Sequence, residues 1–335
     1  MKTLIGIDIG GTKCAILLGE ISHCGDFSVI DKLYYSTAEN PLPEQMLPKL
    51  QDGLMQLLQK HQLLAKEIAC IGISCGGPLD SKKGIIMSPP NLPGWDDVHI
   101  VAFFQDVFSI PVAIQNDANA CALAEWQFGA GRGTQNMIFL TFGTGMGAGL
   151  ILNGQLYVGT NDLGGEVGHI RLAQDGPVGF GKAGSFEGFC SGGGIAQLAK
   201  SIVSEKLKNN QPVGFCPSLE NLNEIDAKMV AIAAQSDDPV AMEIVRISAS
   251  YLGVGLSILI DILNPECIVV GSIYARNENI FKPVVDEILN NEAISLALGV
   301  CKIKPAELGD SVGDYAALCV AVYEDKFKTQ LYGKH

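Results

Sequence analysis

Apolar residues follow two recurrent patterns along the chain, and each pattern predicts one kind of element. Short continuous apolar runs bounded by Gly, Pro or polar residues predict buried strands, whereas apolar residues three and four positions apart predict amphipathic helices. The predicted strands cover residues 1–9, 14–18, 68–74, 112–114, 136–141, 148–152, 266–270 and 300–304. The predicted helices cover residues 43–66, 103–108, 118–128, 192–206, 227–235, 239–263, 283–290 and 316–327. This alternation predicts an α/β fold.

The order strand, glycine turn, strand occurs twice, and the repeat predicts a duplicated fold. The first glycine turn covers residues 10–13 and the second covers residues 143–147. Each pair of flanking strands is expected to form a β-hairpin, because glycine permits a tight turn. We expect each hairpin to open its own αβ domain, with the two halves facing each other across a phosphate group.

Length, composition and charge bound the class of protein. A chain of 335 residues, 47% of them hydrophobic, is long enough for two domains with sizeable cores. The formal net charge of −13 argues against a nucleic-acid surface, because phosphate binding needs clustered Lys and Arg. The first apolar run contains Asp8 and is followed by two glycines, so it is too short and too polar for a signal peptide or a membrane span. We therefore expect a cytoplasmic protein that binds neither nucleic acid nor membrane.

The cysteines are scattered through mostly apolar segments, at Cys14, Cys24, Cys70, Cys75, Cys121, Cys190, Cys216, Cys267, Cys301 and Cys319. None of them forms a CxxC pair, and the spacing favours buried thiols in a reducing compartment over a disulfide framework. The same spacing gives little support to a metal site made of these cysteines.

Asp117 is the candidate catalytic residue. It follows the apolar run 112–114 and precedes a helical pattern, and a strand end that passes into a helix is where an open α/β sheet exposes side chains to a ligand. A carboxylate in that position can act as a general base. The alternative is that Asp117 caps the helix beginning near Ala118, because Asp is a preferred N-cap residue. The sequence leaves both interpretations open.

The first glycine turn carries a candidate phosphate site. Gly10 and Gly11 let the backbone approach an anion closely, and the N–H groups of the turn would face that anion together with Lys13. Asp8 lies where a carboxylate could hold Mg²⁺ through water, since this ion takes one or two protein carboxylates and keeps several waters. The alternative is an ordinary hairpin turn without a ligand.

Three further loops contain candidate ligand contacts. Gly77 lies in a turn after the strand at 68–74, where its backbone could contact a ligand. Asn91 lies in a Pro-rich loop and is a candidate partner for a sugar hydroxyl, although Asn in such a loop is commonly a turn former. Gly271 ends the strand at 266–270 in a turn suited to the base or ribose of a nucleotide.

Glu166, His169 and Glu187 form a set of two acids and one imidazole in the second half of the chain. Glycines around Glu166 and His169 favour a turn that aims both side chains by backbone constraint. Convergent polar groups of this kind are the usual mark of a binding site. The alternative is that His169 is a satisfied structural histidine.

Taken together, these residues resemble the sugar kinases of the ROK (repressor, open reading frame, kinase) family, which have the actin-like, hexokinase-type ATPase fold. The resemblance covers nearly the whole chain and rests on an ordered set of motifs. In chain order they are Asp8, Gly10, Gly11, Thr12 and Lys13 as the first phosphate motif, Asn116 and Asp117 as the sugar and base motif, Gly143, Thr144, Gly145 and Gly147 as the second phosphate motif, and Glu166, Gly168, His169 and Glu187.

The resemblance implies a fold of two actin-like (ribonuclease H-like) ATPase domains, with mixed sheets flanked by helices and a cleft between the domains. We expect a small N-terminal domain of residues 1–117 and a large C-terminal domain of residues 118–311. A C-terminal helix at about 312–330 is expected to pack back on the small domain. The resemblance also implies a homodimer.

The activity that the resemblance implies is ATP-dependent and Mg²⁺-dependent phosphorylation of a sugar, with Asp117 accepting a proton from the sugar hydroxyl that attacks the γ-phosphate. The implied sugar-binding residues are Gly77, Asn91, Asn116, Asp117, Glu166, His169 and Glu187. The implied ATP-binding residues are Asp8, Gly10, Gly11, Thr12, Lys13, Thr144, Gly145, Gly147 and Gly271.

Glucose is the first choice of substrate, because the loop at 91–95 resembles that of the glucokinases of the family. N-acetylmannosamine, N-acetylglucosamine, fructose, mannose and allose remain alternatives, since one methyl or hydroxyl contact in a pocket can decide among them.

One departure from the family pattern concerns zinc. Many relatives carry a zinc site in which the residue matching His169 joins three cysteines of a CxCGxxGC pattern. The cysteine positions of that pattern are here Val178, Phe180 and Ser185, while its glycines remain as Gly181 and Gly184. Since tetrahedral Zn²⁺ needs three or four suitable ligands, we expect no structural zinc. We expect Val178 and Phe180 to fill the space by apolar packing and to leave His169 free to bind sugar.

Two rival functions follow from the same resemblance. One is a transcriptional repressor that senses a sugar without phosphorylating it; such repressors carry a helix-turn-helix region ahead of the sugar domain, whereas this sequence opens at the first phosphate strand. The other is a catalytically silent sugar-binding scaffold, which the presence of Asp8, Lys13 and Asp117 disfavours.

Overall fold

The computed structural model describes residues 1–22 and 27–332, and the chain divides into two compact units. Unit 1 comprises the described parts of residues 1–128, 156–164 and 310–335, and unit 2 comprises residues 129–155 and 165–309. The chain thus passes between the units more than once, and Asp117 lies within unit 1.

The strands and helices alternate along the chain as an α/β sequence pattern predicts. In chain order the strands are β1 (Lys2–Ile9), β2 (Lys13–Ile21), β3 (Phe27–Ser36), β4 (Ile68–Cys75), β5 (Leu79–Asp80), β6 (Ile85–Ile86), β7 (Val112–Asn116), β8 (Met137–Leu140), β9 (Ala148–Leu152), β10 (Gln155–Tyr157), β11 (Val178–Gly179), β12 (Lys182–Ala183), β13 (Cys267–Val270) and β14 (Lys302–Pro305). The α-helices are α1 (Pro43–Lys60), α2 (Ile100–Phe108), α3 (Asp117–Phe128), α4 (Phe186–Phe189), α5 (Gly192–Lys208), α6 (Ala227–Gln235), α7 (Pro239–Leu263), α8 (Ser272–Arg276), α9 (Glu278–Glu292), α10 (Ser295–Leu298) and α11 (Val312–Tyr332).

The sheet of unit 1 has the strand order β3-β2-β1-β4-β7. β1 pairs with β2 in antiparallel register through the predicted first hairpin, and β1, β4 and β7 run parallel. Parallel strands need crossover connections, which α1 and α2 supply between β3 and β4 and between β4 and β7. The sheet is therefore mixed, with its parallel strands on one side of β1.

Apolar side chains cover both faces of this sheet. On one face, Leu50 and Leu54 of α1 and Phe104 of α2 pack with Ile5 and Ile7 of β1. On the other face, residues of α11 pack with residues of β1 and β2, among them Leu318, Ala321, Leu4 and Leu17. The edge of the sheet that carries the candidate residues is therefore held by helices on both faces.

The sheet of unit 2 repeats the same plan, with β9, β8, β13 and β14 as neighbours in that order. β8 pairs antiparallel with β9 through the second glycine turn and parallel with β13, which in turn runs parallel to β14. The predicted duplication and the predicted mixed α/β class are confirmed. The second sheet packs against helices that include α5, α7 and α9.

α7 is long and apolar enough to cross a membrane by length and composition, the only such helix among the described residues. Within its most apolar window, 61% of the residues are buried inside the protein. Gly255 lies on its packed side, where an added Cβ would come within 2.3 Å of the Phe186 ring. The small residues of this helix therefore allow close packing, as expected for a core helix.

Several element boundaries differ from the sequence prediction. The first predicted helix ends at Lys60 instead of residue 66, and β3 was not predicted because its residues alternate between partly buried and exposed positions and include Asp31 and Lys32. α9 begins at Glu278, ahead of Pro283, because Phe281 and Val285 are buried in the core of unit 2. Tertiary packing here outweighs the local helix-breaking preference of proline.

The cysteines of the described residues are all free thiols, and all but Cys121 are buried. Cys24 lies outside the described residues. The expectation of buried thiols is confirmed for the cysteines that the structure describes, apart from the partly exposed Cys121.

Candidate functional site

The carboxyl ends of the parallel strands of unit 1 meet at one edge of the sheet. Ile9 of β1 lies opposite Cys75 of β4, and Cys75 lies opposite Asn116 of β7. Asp8 and Asp117 are each one residue from this row. Strand register alone therefore brings together two carboxylates that are far apart in the sequence.

Asn116, and not Asp117, makes the capping hydrogen bond of α3. Its Oδ1 accepts a hydrogen bond from the N–H of Asn119 at 2.7 Å, which is the N-cap geometry. Asp117 is the first residue of the helix, and its Oδ1 accepts from the N–H of Ala118 at 2.8 Å. With the capping position filled by its neighbour, Asp117 keeps carboxylate lone pairs for a ligand, and its side chain has exposed surface.

Electrostatics at this edge favour a cation or a proton. Burial and the negative charge of Asp117 together raise the pKa of Asp8 to about 6, while Lys13 and a hydrogen bond with Ser74 oppose the shift. Desolvation of the carboxylate by neighbouring protein atoms also raises the pKa of Asp117, while the hydrogen bond from the Ala118 N–H lowers it. Nearby positive charge therefore does not fully compensate the negative charge of the two ionised carboxylates.

The first glycine turn is held from outside by Thr37, a buried residue that sequence reasoning missed. The Thr37 hydroxyl donates to the carbonyl of Gly10 at 2.7 Å, and its N–H donates to the carbonyl of Thr12 at 3.1 Å. Within the turn, the N–H of Gly10 donates to the carbonyl of Lys13 at 3.1 Å. The turn is thus fixed at both sides, while Gly11, Thr12 and Lys13 are exposed.

Lys13 has its ammonium group 4.9 Å from the centre of the Tyr34 ring. Such a contact holds the cation by the electrostatic attraction of the ring face. Because the charge of Lys13 also acts on Asp8, the structure places it within electrostatic range of the predicted metal-binding carboxylate.

The structure brings Asn91 against both neighbouring turns of unit 1. A Cβ added at Gly11 would lie 2.6 Å from the Asn91 carbonyl oxygen, and one added at Gly76 would lie 3.1 Å from Asn91 Oδ1. The loop is anchored by the buried Trp95, whose Nε1 donates to the carbonyl of Pro41 at 2.9 Å. Gly77, next in the chain to Gly76, has open space where a Cβ would lie.

In unit 2, the second glycine turn binds the carboxylate of Glu187. The Glu187 Oε2 accepts a hydrogen bond from the N–H of Met146 at 3.0 Å, and a Cβ at Gly145 would lie 2.9 Å from the same oxygen. The turn is closed by Thr141, whose Oγ1 accepts from the N–H of Gly147 at 2.8 Å. One carboxylate therefore joins the second phosphate motif to the predicted sugar-binding set, and no sequence pattern indicated this contact.

Glu166 and His169 are exposed; Glu166 precedes the 3₁₀ turn at Val167–His169 and His169 is its last residue. Gly165 has φ of +92°, and a Cβ there would lie 2.2 Å from the carbonyl oxygen of Ala148. Gly168 approaches the second glycine turn equally closely, with a Cβ position 2.2 Å from the Met146 carbonyl oxygen. The predicted turn is present, and only glycine fits at both positions.

The turn at Gly271 lies against the second glycine turn. The N–H of Ile273 donates to the carbonyl of Phe142 at 2.8 Å, and a Cβ at Gly143 would lie 3.5 Å from the Ser272 hydroxyl. β8 and β13 run parallel and end together, so their following turns meet. The two turns predicted to bind nucleotide therefore form one surface within unit 2.

A pocket of about 460 Å³ opens beside the Gly271 turn. Its walls come from α6 and from the residues after Ser272, and they combine apolar, amide and cationic groups: Ala227, Lys228, Ala231, Ile232, Gln235, Ile273, Arg276 and Asn277. α6 carries no motif that predicts a functional role. Its helical periodicity predicted the element, but nothing in the sequence indicated that it lies beside Gly271.

The positions that match the zinc-binding cysteines do not form a metal site. Val178 is 46% exposed and Phe180 is 72% exposed, so the expectation that they fill the space by apolar packing is wrong. Ser185 is fully buried, and its hydroxyl accepts a hydrogen bond from the N–H of Gly188. Among the described residues, no cluster of three His, Cys, Asp or Glu side chains could hold a metal ion.

Residues 4–322 of the chain match the model of the ROK family. The chain is 31% identical over 283 residues to a glucokinase of Halalkalibacterium halodurans, with 84% of this chain and 83% of that protein covered. It is 29% identical over 309 residues to a xylose repressor of Caldicellulosiruptor bescii, with 92% of this chain and 75% of the repressor covered.

Among solved structures, the chain is similar to a ROK family glucokinase from Streptomyces griseus in complex with glucose and AMPPNP. The TM-score is 0.72 at 26% sequence identity, and the match covers 96% of this chain and 99% of that one. The similar proteins thus include both sugar kinases and a regulator.

Proposed function

The chain belongs to the ROK family, and from that premise we propose that it phosphorylates a hexose hydroxyl with ATP, glucose being the first candidate substrate. The observation that carries the proposal is the pairing of Asp117 with Asp8 at the carboxyl edge of the first sheet. A sensor that only binds sugar has no need of a second, partly buried carboxylate beside a glycine turn and a lysine.

Asp117 is assigned the role of general base. Its carboxylate accepts the proton of the sugar hydroxyl as the hydroxyl oxygen forms a bond to the γ-phosphorus of ATP. The bond from that phosphorus to the β,γ-bridging oxygen breaks, and ADP leaves. Phosphoryl transfer depends mainly on positioning and on neutralising charge, which a fixed carboxylate and two rigid glycine turns supply.

We assign hexose contacts to seven residues. In unit 1 they are Gly77, Asn91, Asn116 and Asp117, and in unit 2 they are Glu166, His169 and Glu187. Asn116 can offer its Nδ2 to a hydroxyl, because its Oδ1 is occupied by the helix cap. Glu187 can offer Oε1, because its Oε2 accepts from Met146.

We assign ATP to the glycine turns and to the pocket beside Gly271. The backbone of Gly10, Gly11, Thr12 and Lys13 and that of Thr144, Gly145 and Gly147 would face the phosphates. The pocket wall formed by Ile273 and α6 is apolar enough for a purine ring, and its amide and cationic groups can bind the ribose.

The residues around Asp8 fit a hydrated Mg²⁺. Asp8 and Asp117 leave uncompensated negative charge, and Mg²⁺ takes one or two carboxylates while keeping its waters. When bound, the ion would neutralise charge on the phosphates. Asp8 would hold it through water.

Filling the nucleotide pocket is expected to weaken ATP binding selectively. In Ala231→Trp, the indole occupies space that the base would need, so the KM for ATP should rise about tenfold or more while the KM for hexose stays within twofold. Ser236→Trp is the matched control, since it adds the same side chain at an exposed position just after α6 and outside the pocket. Steady-state kinetics with each substrate varied measure both constants; an unchanged KM for ATP in Ala231→Trp would remove the nucleotide from this pocket.

The substrate is tested with a hexose panel in a coupled assay for ADP release. Glucose, mannose, fructose, allose, N-acetylglucosamine and N-acetylmannosamine are each offered with MgATP, and glucose is expected to give the highest kcat/KM. The alternative function is a sugar-sensing regulator, which the similarity to a xylose repressor favours. Sugar binding by calorimetry without ADP release on any hexose would establish that alternative and refute the kinase.

We further propose that the protein is a cytoplasmic homodimer that does not bind nucleic acid. The net charge of −13 supports the last point, because a nucleic-acid surface needs clustered positive charge. Dimers are the commonest soluble assembly, which supports the homodimer.

A further inference from the structure

The tip of the β11–β12 hairpin departs from two general preferences at once. Phe180 and Gly181 connect the two strands, and both have positive φ, +41° and +75°, as in a type I′ turn. Asn-Gly is the favoured pair for this turn, whereas a bulky aromatic residue at positive φ is a rare and strained choice. Phe180 is also 72% exposed, although a large apolar side chain gains little from water contact. Residues held against local preference in this way cluster at functional sites.

The ring of Phe180 contacts a predicted sugar-binding side chain. Its centre lies 5.3 Å from the centre of the His169 imidazole, and the two planes make an angle of 78°. This is the edge-to-face arrangement that aromatic pairs prefer. The strained turn therefore aims an exposed ring at His169.

The same hairpin also holds the main chain of His169. The ammonium group of Lys182, the residue after Gly181, donates to the carbonyl of His169 at 2.6 Å. Side chain and backbone of one histidine are thus fixed by two residues of one hairpin. Neither contact depends on a metal.

The base of the hairpin is itself anchored to a helix. Gln197 of α5 makes a reciprocal pair of hydrogen bonds with Val178: its Oε1 accepts from the Val178 N–H at 3.0 Å, and its Nε2 donates to the Val178 carbonyl at 2.9 Å. The guanidinium of Arg171 donates to the carbonyl of Ala183 on the other strand at 2.7 Å. Because its base is held by these hydrogen bonds, the hairpin can hold Phe180 and Lys182 in fixed positions.

We propose that this hairpin takes the place of a structural zinc, with Phe180 and Lys182 as positioning residues that orient His169 toward the hexose. The inference rests on the proposed function for the identity of the ligand. Zinc does not fit here, because Val178 and Phe180 offer no ligand atom and the Ser185 hydroxyl is buried and occupied as the cap of α4. The chain replaces metal coordination by an aromatic contact and a charged hydrogen bond.

The decisive variant is Phe180→Asn, which installs the preferred Asn-Gly pair and removes the ring. If Phe180 only served hairpin formation, this change would leave sugar binding intact. If its ring positions His169, the KM for hexose rises about three- to tenfold while kcat stays within twofold and the melting temperature is unchanged or higher. Phe180→Tyr should restore the wild-type KM, and Val178→Ala, an exposed position on the same hairpin without a ring contact to His169, is the matched control.

A readout without substrate separates this inference from the kinase assignment. The five histidines give few resonances in a ¹H–¹³C spectrum of ¹³C-histidine-labelled protein, and His169→Gln identifies the one of interest. Loss of the Phe180 ring should shift the His169 resonance and no other. If the wild type binds no hexose but the His169 resonance still shifts in Phe180→Asn, the proposed function is refuted and the positioning of His169 by the hairpin is retained. An unshifted resonance with unchanged KM in Phe180→Asn, or one tightly held zinc per chain by metal analysis, would overturn the inference.

Discussion

Asp117→Asn is expected to lower kcat about a thousandfold, within the range of roughly 10² to 10⁴ for loss of a general base. Asn is nearly isosteric and keeps an oxygen for the hydrogen bond from the Ala118 N–H, so α3 should still begin at the same residue. The amide cannot accept the proton of the attacking hydroxyl. The KM values for hexose and ATP should change only severalfold, because substrate positioning does not depend on that proton transfer.

The measurement is single-turnover and steady-state kinetics of phosphoryl transfer, with Asp106→Asn as control, an exposed aspartate of α2 in the same unit. A second readout follows from electrostatics. Since the charge of Asp117 raises the pKa of Asp8, the pKa of Asp8 should fall in Asp117→Asn. Turnover within tenfold of the wild type would exclude Asp117 as the base.

Asp8→Asn is expected to make the ligand-free protein more stable at pH 8 while removing most of its activity. Burial and the charge of Asp117 raise the pKa of Asp8 from its ordinary 3.8 to about 6 in the folded protein. The protonated form is therefore favoured by folding: the stability it contributes is full below pH 4 and is lost as the pH rises through 6. At pH 8 the ionised carboxylate costs up to about 3 kcal/mol, at about 1.4 kcal/mol per pKa unit, and Asn does not ionise.

Denaturant unfolding of wild type and Asp8→Asn at pH 4 and pH 8 tests this, without Mg²⁺. The stability gain should appear at pH 8 and be small at pH 4. Asp80→Asn is the control of opposite sign, because hydrogen bonds from Lys83 lower the pKa of Asp80 and its loss should not stabilise the protein at pH 8. In MgATP assays, Asp8→Asn should lose about two orders of magnitude in kcat/KM through weaker charge neutralisation. A variant that is less stable than wild type at pH 8, or fully active, would contradict the assignment.

The two carboxylates illustrate how far sequence reasoning reaches. The turn after β1 and the strand-to-helix junction before α3 are local features, so Asp8, Lys13 and Asp117 could be named as candidates from the sequence alone. Their proximity depends on the registers of β1 with β4 and of β4 with β7, which are set by contacts between distant segments. That Asn116 and not Asp117 caps α3 also needed the structure, because both residues are suitable caps by type.

The zinc-related segment shows the opposite case. The sequence predicts that Val178, Phe180 and Ser185 lack the chemistry of a metal site, because ligand type is a property of the residue itself. The prediction that Val178 and Phe180 are buried by apolar packing is wrong, because the hairpin exposes both side chains. Whether an apolar side chain is buried depends on the backbone that presents it.

The sequence by itself determined the α/β class, the two repeated hairpins, the glycine turns and the side chains able to act as a base or bind a ligand. Periodicity, turn residues and functional groups are properties of short segments. Only the tertiary structure decided that Glu187 binds the second glycine turn, that α6 forms a pocket beside Gly271, and that Phe180 contacts His169. Each of these depends on which remote segments meet. That outcome follows from strand register and core packing, and neither can be read from a short stretch of sequence.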